Sequence, residues 1–372
     1  MKFNRTFLLF AFIISELVSS QIQENRKTEK LDSFFPKYLD FESDRPVANI
    51  LVNLENRNFK YHKAFGVIDL ESQIPCTPDL TFKTASITKI PTAVIILQLM
   101  EEGKIDLDKT AYHYLKENSF IDFDNLSLFD GKSYGKEITI RQLLKHESGL
   151  ADIFTDTKEM LDFVVANPDI QWNPERLMGK YYEYGLNQKV FNLPGNGYHY
   201  TDVGYFLLGL CIENITETTL AEQYRIRIIE PLNLQNTYFE YYEKFEIKVK
   251  MAHAYYGDID ATKNINTSTD WAAGGWAATT EDLTTFIHAL FQNKLFQNER
   301  TLKEMIEGNR YGMGIAIQHF KGSTYYGHFG FWGSCILYNP EKQITLCLSL
   351  NQVEPKFNTS KFLMKAIKIL EK

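Results

Sequence analysis

The chain has 372 residues, a formal net charge of −7 and 44% hydrophobic residues. Acidic and basic side chains are mixed along it, which excludes the basic stripe expected of a nucleic-acid partner. The length exceeds what one hydrophobic core comfortably serves and predicts a two-lobed body.

The first twenty residues carry Lys2 and Arg5, an apolar run from Phe7 to Val18, and the small pair Ser19-Ser20, the layout of a secretory signal peptide. Glu16 interrupts a run already shorter than the roughly 20 residues of a bilayer span, so no stable membrane anchor is expected. Cleavage removes two positive charges and one negative, leaving −8 on a mature chain that is secreted or periplasmic. Residues 21–37 read as an N-terminal linker.

Val47 to Leu54 and Phe59 to Val67 are strand-like runs around the turn Glu55-Asn56-Arg57-Asn58, a predicted hairpin. Thr84-Ala85-Ser86 then opens an apolar helix through Met100, stopped by Gly103. Pro91 fits that helix only if it starts near Ser86, so that the missing N–H falls in roughly the first turn.

Helical signals follow at Thr139 to His146, Lys158 to Ala166, Asp202 to Ile215 and Leu220 to Glu230, each ended by Gly, Pro or Asn. A helix capped by Thr280-Glu281-Asp282 runs to Gln292, and strands are predicted at Tyr311 to Gln318, Thr324 to His328, Cys335 to Tyr338 and Ile344 to Leu350. A last helix presents Phe362, Leu363, Ala366, Ile367 and Leu370 on one face. This order predicts an α+β fold: residues 38–109 and 270–372 form an α/β lobe, and 110–269 an inserted all-α lobe.

Cys76, Cys211, Cys335 and Cys347 form no C-x-x-C pair and read as buried thiols, with Cys335 and Cys347 the one pair a hairpin could bring face to face. The eight histidines form no H-E-x-x-H, so neither a metal nor another cofactor is implied. Asn125, Asn214, Asn266 and Asn358 begin N-x-S/T sites that matter only in a glycosylating host.

Two S-x-x-K patterns occur. Ser86-Ile87-Thr88-Lys89 opens an apolar helix, where a spacing of three puts both side chains on one face. Ser133-Tyr134-Gly135-Lys136 lies in a polar loop that also matches G-x-S-x-G from Gly131 to Gly135, with Asp202 and His328 downstream in the order of an α/β-hydrolase triad. A nucleophile elbow needs a buried strand before it and a helix after it, and Asn125-Leu126-Ser127-Leu128-Phe129-Asp130 is short and half polar. Ser86 is therefore the preferred nucleophile.

A serine hydroxyl needs a neighbouring base, and a lysine serves only when neutral. Bringing a lysine from about 10.4 to near 7 takes roughly 4 to 5 kcal/mol of differential destabilisation. Two further elements stand in consistent order: His199-Tyr200-Thr201-Asp202 before an apolar helix, and Gly327-His328-Phe329-Gly330 ending a predicted strand.

With these residues the chain resembles the serine β-lactamase and penicillin-binding-protein superfamily, in the branch of class C β-lactamases, DD-peptidases, D-aminopeptidases and related esterases. The likeness covers about residues 38 to 370 and rests on Phe65-Gly66-Val67-Ile68-Asp69, Thr84 to Lys89, Glu102 to Asp108, Ile140 to Leu150 and Ala273-Gly274-Gly275. It implies an antiparallel sheet flanked by helices with an all-α insertion.

By the same resemblance Tyr200 is the tyrosine of the Y-x-N element and shares acid and base duty with Lys89, while Asp202 stands where the family has Asn. An ionised carboxylate accepts hydrogen bonds from Lys89 but donates none, and it favours a charged lysine, which moves the base role towards Tyr200. His328-Phe329-Gly330 takes the K-T-G position, and the backbone N–H groups of Ser86 and Phe331 are the implied oxyanion hole. Phe329 replaces a hydroxyl residue that holds the substrate carboxylate in antibiotic-directed members, which weakens the case for a β-lactamase or DD-carboxypeptidase.

Tyr181, Tyr182, Tyr184, Tyr198, Trp276, Phe329, Phe331 and Trp332 crowd the segments expected to line the cleft, either as an apolar acyl pocket or as ordinary packing in an aromatic-rich chain. The expected function is hydrolysis of a small-molecule ester, amide or peptide through a Ser86 acyl-enzyme, as an esterase or a D-amino-acid peptidase. The contrasting class is a non-hydrolytic binding or scaffold protein that keeps the fold.

Overall fold

The computed structural model describes residues 21–244 and 250–371. The predicted signal peptide lies outside the described residues. Within them, no helix is long and apolar enough to cross a membrane.

The predicted hairpin forms as β1 (Asn49–Asn56) and β2 (Phe59–Gly66). The C-terminal strands are β3 (Ala316–Phe320), β4 (Ser323–Phe329), β5 (Ser334–Asn339) and β6 (Ile344–Ser349). They make one antiparallel sheet in the order β3-β4-β5-β6-β1-β2, so the N-terminal hairpin closes against the last strand of the chain. Residues Tyr311 to Ile315, expected as strand, form a loop joined to β3 by a single bridge at Tyr311 and Ala316.

Four helices frame the sheet and the site: α1 (Lys89–Glu101), α2 (Asp202–Thr216), α3 (Thr280–Phe291) and α4 (Thr359–Leu370). Every α1 residue from Lys89 to Leu97 is buried, as befits a helix that is apolar all round. Pro91 is the third residue of α1, where its missing N–H has no intrahelical partner to lose. Burying each large aliphatic side chain of α1 contributes about 1.5–3 kcal/mol.

Helix α3 packs on one face of the sheet, and Asn53 of β1 donates to the Thr284 hydroxyl across that contact (3.1 Å). From this face one apolar core, including Leu51, Ile336 and Cys347, continues into the helices of 110–269 through Leu143, Met160 and Leu177. The opposite face carries a second core, closed by Phe362, Ala366 and Ile367 of α4. The two cores are therefore divided by the sheet.

Residues 21–37 are no linker. They are helical to residue 34, followed by a 3₁₀ turn at Phe35–Tyr38, and Leu31 and Phe35 are buried against the second core. Asp32 accepts from the Tyr61 hydroxyl (2.6 Å) and pairs with Lys63 (2.7 Å), tying this helix to β2. Only a narrow apolar strip reaches the sheet, which is why the polar run around it reads as solvated.

Among the described residues all four cysteines are free. Cys335 pairs in register with Leu348 and Cys347 with Ile336, so the two thiols point to opposite faces of the sheet and no bridge can join them.

Candidate active site

Ser86 lies on a 3₁₀ turn, Ala85–Thr88, that leads directly into α1. The turn is pinned to the short strand Trp276–Ala278: the Thr84 hydroxyl donates to the Trp276 carbonyl (2.9 Å), and the Trp276 N–H donates to the Thr88 hydroxyl (3.1 Å). Ala85 is held at φ +48°, a costly conformation for a residue with a side chain. Beside it, a Cβ on Gly330 would sit 2.0 Å from Ser334 Oγ and 2.3 Å from the Thr84 carbonyl oxygen. Glycine at 330 therefore lets the end of β4 close onto the nucleophile turn.

Lys89 is completely buried one turn beyond Ser86. Its Nζ donates to Ser86 Oγ (3.0 Å) and to the Ala273 carbonyl (2.9 Å), and lies 2.6 Å from Asp202 Oδ1. Tyr200 hydrogen-bonds Ser86 from another side, and burial, reinforced by the Asp202 charge, raises its phenol well above the usual range. The resting group at neutral pH is a neutral phenol that Lys89 also approaches from above the ring (4.9 Å).

Asp202 begins α2 and Thr201 caps it, so the helix start places Asp202 beside Lys89. Its backbone N–H donates to Asp152 Oδ2 (2.6 Å). Asp152 Oδ1 in turn accepts from the N–H groups of Phe154 (3.0 Å) and Thr155 (2.8 Å), and burial pushes its carboxyl up to about 6, with Asp202 adding to the effect.

His328 of β4 projects towards the same centre. Its Nδ1 faces the Phe329 carbonyl (2.8 Å), which can only accept, so Nδ1 carries the hydrogen and Nε2 accepts from the Tyr311 hydroxyl (2.9 Å). Burial first, then the Lys89 charge, pulls its pKa down to about 3, so the imidazole is neutral. The β3 pairing ends at Gly327, which leaves the backbone of His328 and Phe329 beyond the reach of that neighbour.

A cavity of about 130 Å³ opens onto these groups, lined by Ser86, Asp152, Tyr200, Asp202, Asp270, Phe331 and Trp332 among others. Strand alternation sends Phe329 to the other face, where it and Gly330 line a separate cavity with Phe362 of α4. Phe329 thus stands apart from the substrate position expected of it. Tyr181 and Trp276 are buried in the core, Tyr182 reaches the loop at Asp122, and Tyr198 packs on Tyr311; the expected aromatic lining reduces to Phe331 and Trp332.

Ser133 is not an elbow. It sits in a two-residue strand, donates to the Phe123 carbonyl (3.3 Å), and is followed by a three-residue 3₁₀ turn, while Lys136 pairs with Asp124 at the surface (2.7 Å).

Three residues absent from the expected set belong to the centre. Tyr311 holds His328. His146, fully buried at φ +57°, stacks on the Tyr200 ring with centroids 4.2 Å apart, while its Nδ1 accepts the Thr201 N–H (3.2 Å). Asp152 anchors the start of α2, and the stretch Ile140 to Leu150 just before it was the available signal.

A family model described as Beta-lactamase matches residues 34–365. The teichoic acid D-alanine hydrolase of Staphylococcus aureus is 25% identical over 346 residues, covering 89% of this chain and 78% of that protein. Protein flp of S. aureus strain MW2 is 26% identical over 198 residues, 52% of this chain and 35% of its own length. Among solved structures, the D-amino acid amidase of Ochrobactrum anthropi SV3 superposes with a TM-score of 0.76 at 21% identity, covering 94% of this chain and 98% of that one. The octameric penicillin-binding protein homologue of Pyrococcus abyssi gives 0.73 at 24% identity, covering 92% and 77%. These likenesses show a shared β-lactamase/transpeptidase-like fold.

Proposed function

The chain belongs to the beta-lactamase family, and from that premise we propose that it is a serine hydrolase in which Ser86 is acylated by the acyl group of a small ester or amide. The observation that carries this reading is the convergence of Lys89 Nζ (3.0 Å) and the Tyr200 hydroxyl on one serine oxygen beside a cavity.

In acylation the reactive form has Lys89 as the free amine: Ser86 Oγ adds to the substrate carbonyl carbon while its proton passes to Lys89 Nζ, directly or by relay through the Tyr200 hydroxyl, which gives up one proton as it takes the other. The carbonyl oxygen takes the charge between the N–H groups of Ser86 and Phe331; one such donor is worth about 3 kcal/mol of barrier. Collapse breaks the bond to the leaving oxygen or nitrogen, which takes a proton, most directly from the neutral phenol of Tyr200. Water then adds to the acyl carbon by the same route, returning free Ser86 and the acid. Asp202 and His328 hold Lys89 and the β4 edge in place for this sequence.

Acyl groups with a small apolar side chain suit a cavity of this size. Relatives named for D-alanine and D-amino acids support aminoacyl esters and amides ahead of penicillins. The leader read at residues 1–20 supports an exported enzyme.

The test compares short-chain nitrophenyl esters, a D-alanyl amide and a chromogenic cephalosporin with wild type and Ser86→Ala. Turnover of the esters and amide, weak or no cephalosporin cleavage, and loss of all turnover in the variant are expected. Ser86→Ala turning over substrate like its parent would remove the assignment.

A further inference from the structure

One wall of the Ser86 cavity carries a carboxylate that the steps above do not use. Asp270 lines the same cavity as Ser86 and Phe331, among apolar neighbours that include Phe154, Leu161, Val164 and Ile265. Its Oδ1 accepts the hydroxyl of adjacent Thr269 (3.1 Å). On the Gly274 side there is no spare room, since a Cβ there would lie 3.0 Å from Asp270 Cβ and 3.3 Å from Oδ2. The next residue, Trp271, is forced to φ +29° with its indole against Gly209, so the carboxylate is presented by a strained, tightly packed backbone.

The other acids of this wall are committed. Asp202 lies against Lys89 (2.6 Å), and both Asp152 oxygens take backbone N–H groups. The cation facing Asp270, Lys83, is also committed: it bonds both Glu240 oxygens (2.6 Å each) and the Thr267 hydroxyl (2.8 Å). Asp270 therefore keeps acceptor capacity towards the cavity, and burial pushes its carboxyl up to about 7, against the pull of Lys83 and with Asp202 and Glu240 opposing ionisation. A buried carboxylate is costly unless a cation pairs with it.

We propose that Asp270 receives the ammonium group of an aminoacyl substrate, so that the site selects esters and amides whose acyl group bears a protonated amine. The selectivity rests on Ser86 being the nucleophile, and it adds a residue that reads one feature of the acyl group. The ion pair forms as the acyl carbon settles against Ser86, with the amino-acid side chain directed into the apolar part of the cavity.

D-Alanine methyl ester and methyl propionate differ only in the ammonium, and methanol release measures kcat/KM for both with the full chain. Wild type should favour the amino ester by about 10- to 100-fold, the worth of a charge-assisted hydrogen bond. In Asp270→Asn that ratio should fall about 10-fold or more, towards the ratio of the two esters in alkaline hydrolysis, and Asp270→Glu should restore part of it.

The wild-type ratio should also climb with pH as Asp270 ionises near 7, then fall as the substrate ammonium deprotonates at about 8. Steps common to both esters cancel in it. A ratio near one in wild type, a ratio that survives Asp270→Asn, or one that collapses in Asp152→Asn instead would overturn the assignment. Turnover of methyl propionate alone would overturn it while leaving the Ser86 hydrolase intact; turnover of neither ester with no labelling of Ser86 would remove both.

Discussion

Replacing Asp270 by Asn should make the protein more stable at neutral pH, and the size of the effect follows from its surroundings. In the folded chain burial moves this carboxyl from an ordinary value of 3.8 up to about 7. Between those values the folded state binds more protons than the unfolded one, so stability falls as pH rises through the window. Below 3.8 both states are protonated and nothing is lost; above 7 the whole penalty applies.

At 1.36 kcal/mol per pH unit the ceiling is about 4 kcal/mol. The carboxylate faces a cavity that admits water, where the effective dielectric is higher than in a dry core, so about half, near 2 kcal/mol, is expected. Asn keeps the shape and the Thr269 hydrogen bond while removing the charge. For a chain of this size that gain raises Tm by roughly 3 to 4 °C. Calorimetry of both proteins from pH 3.5 to 8 should show a gap near zero at the acid end that widens as the pH rises through the window and reaches its full size by pH 8. A gap that is independent of pH, or wider at the acid end, would refute the reasoning.

Tyr200→Phe removes the phenol from Ser86 and should slow acylation by about 10²- to 10⁴-fold in burst kinetics with a nitrophenyl ester; a rate within threefold of wild type would deny it a proton role. Gly330→Ala drives a Cβ into the Thr84 carbonyl at 2.3 Å, so Tm should drop by an amount equivalent to about 1–3 kcal/mol and kcat should fall as the Ser86 turn shifts. An unchanged melting curve would contradict that close approach. Ser133→Ala should leave kcat/KM unchanged within twofold, because its hydroxyl is engaged with the Phe123 carbonyl in a surface hairpin; a large loss would revive the elbow.

Much of the centre was legible because it depends on local spacing. Ser86 and Lys89 share a helical face, and Tyr200 and Asp202 straddle a cap whose Thr201 announces α2. The strand alternation that turns His328 inward was equally readable, and it sends Phe329 outward; the family position of Phe329 hid that consequence.

Asp270, Asp152 and Tyr311 carry no such local mark, and His146 is marked only as part of the stretch Ile140 to Leu150. They reach the site through long-range packing: Tyr311 meets His328 from a loop and His146 meets Tyr200 across the helical region. The helix Pro174–Glu183 was missed because its buried residues, Leu177, Met178 and Tyr181, are interleaved with charges. Residues 21–37 looked like a linker for the same reason, since their burial depends on a sheet whose strands come from both ends of the chain.

The central claim is that one hydroxyl, at position 86, forms the covalent intermediate. Intact-mass analysis after exposure to a fluorophosphonate probe, followed by peptide mapping, tests it directly. A single adduct is expected on the peptide containing Ser86, and none in Ser86→Ala. An adduct on Ser133, or equal labelling of the alanine variant, would contradict it.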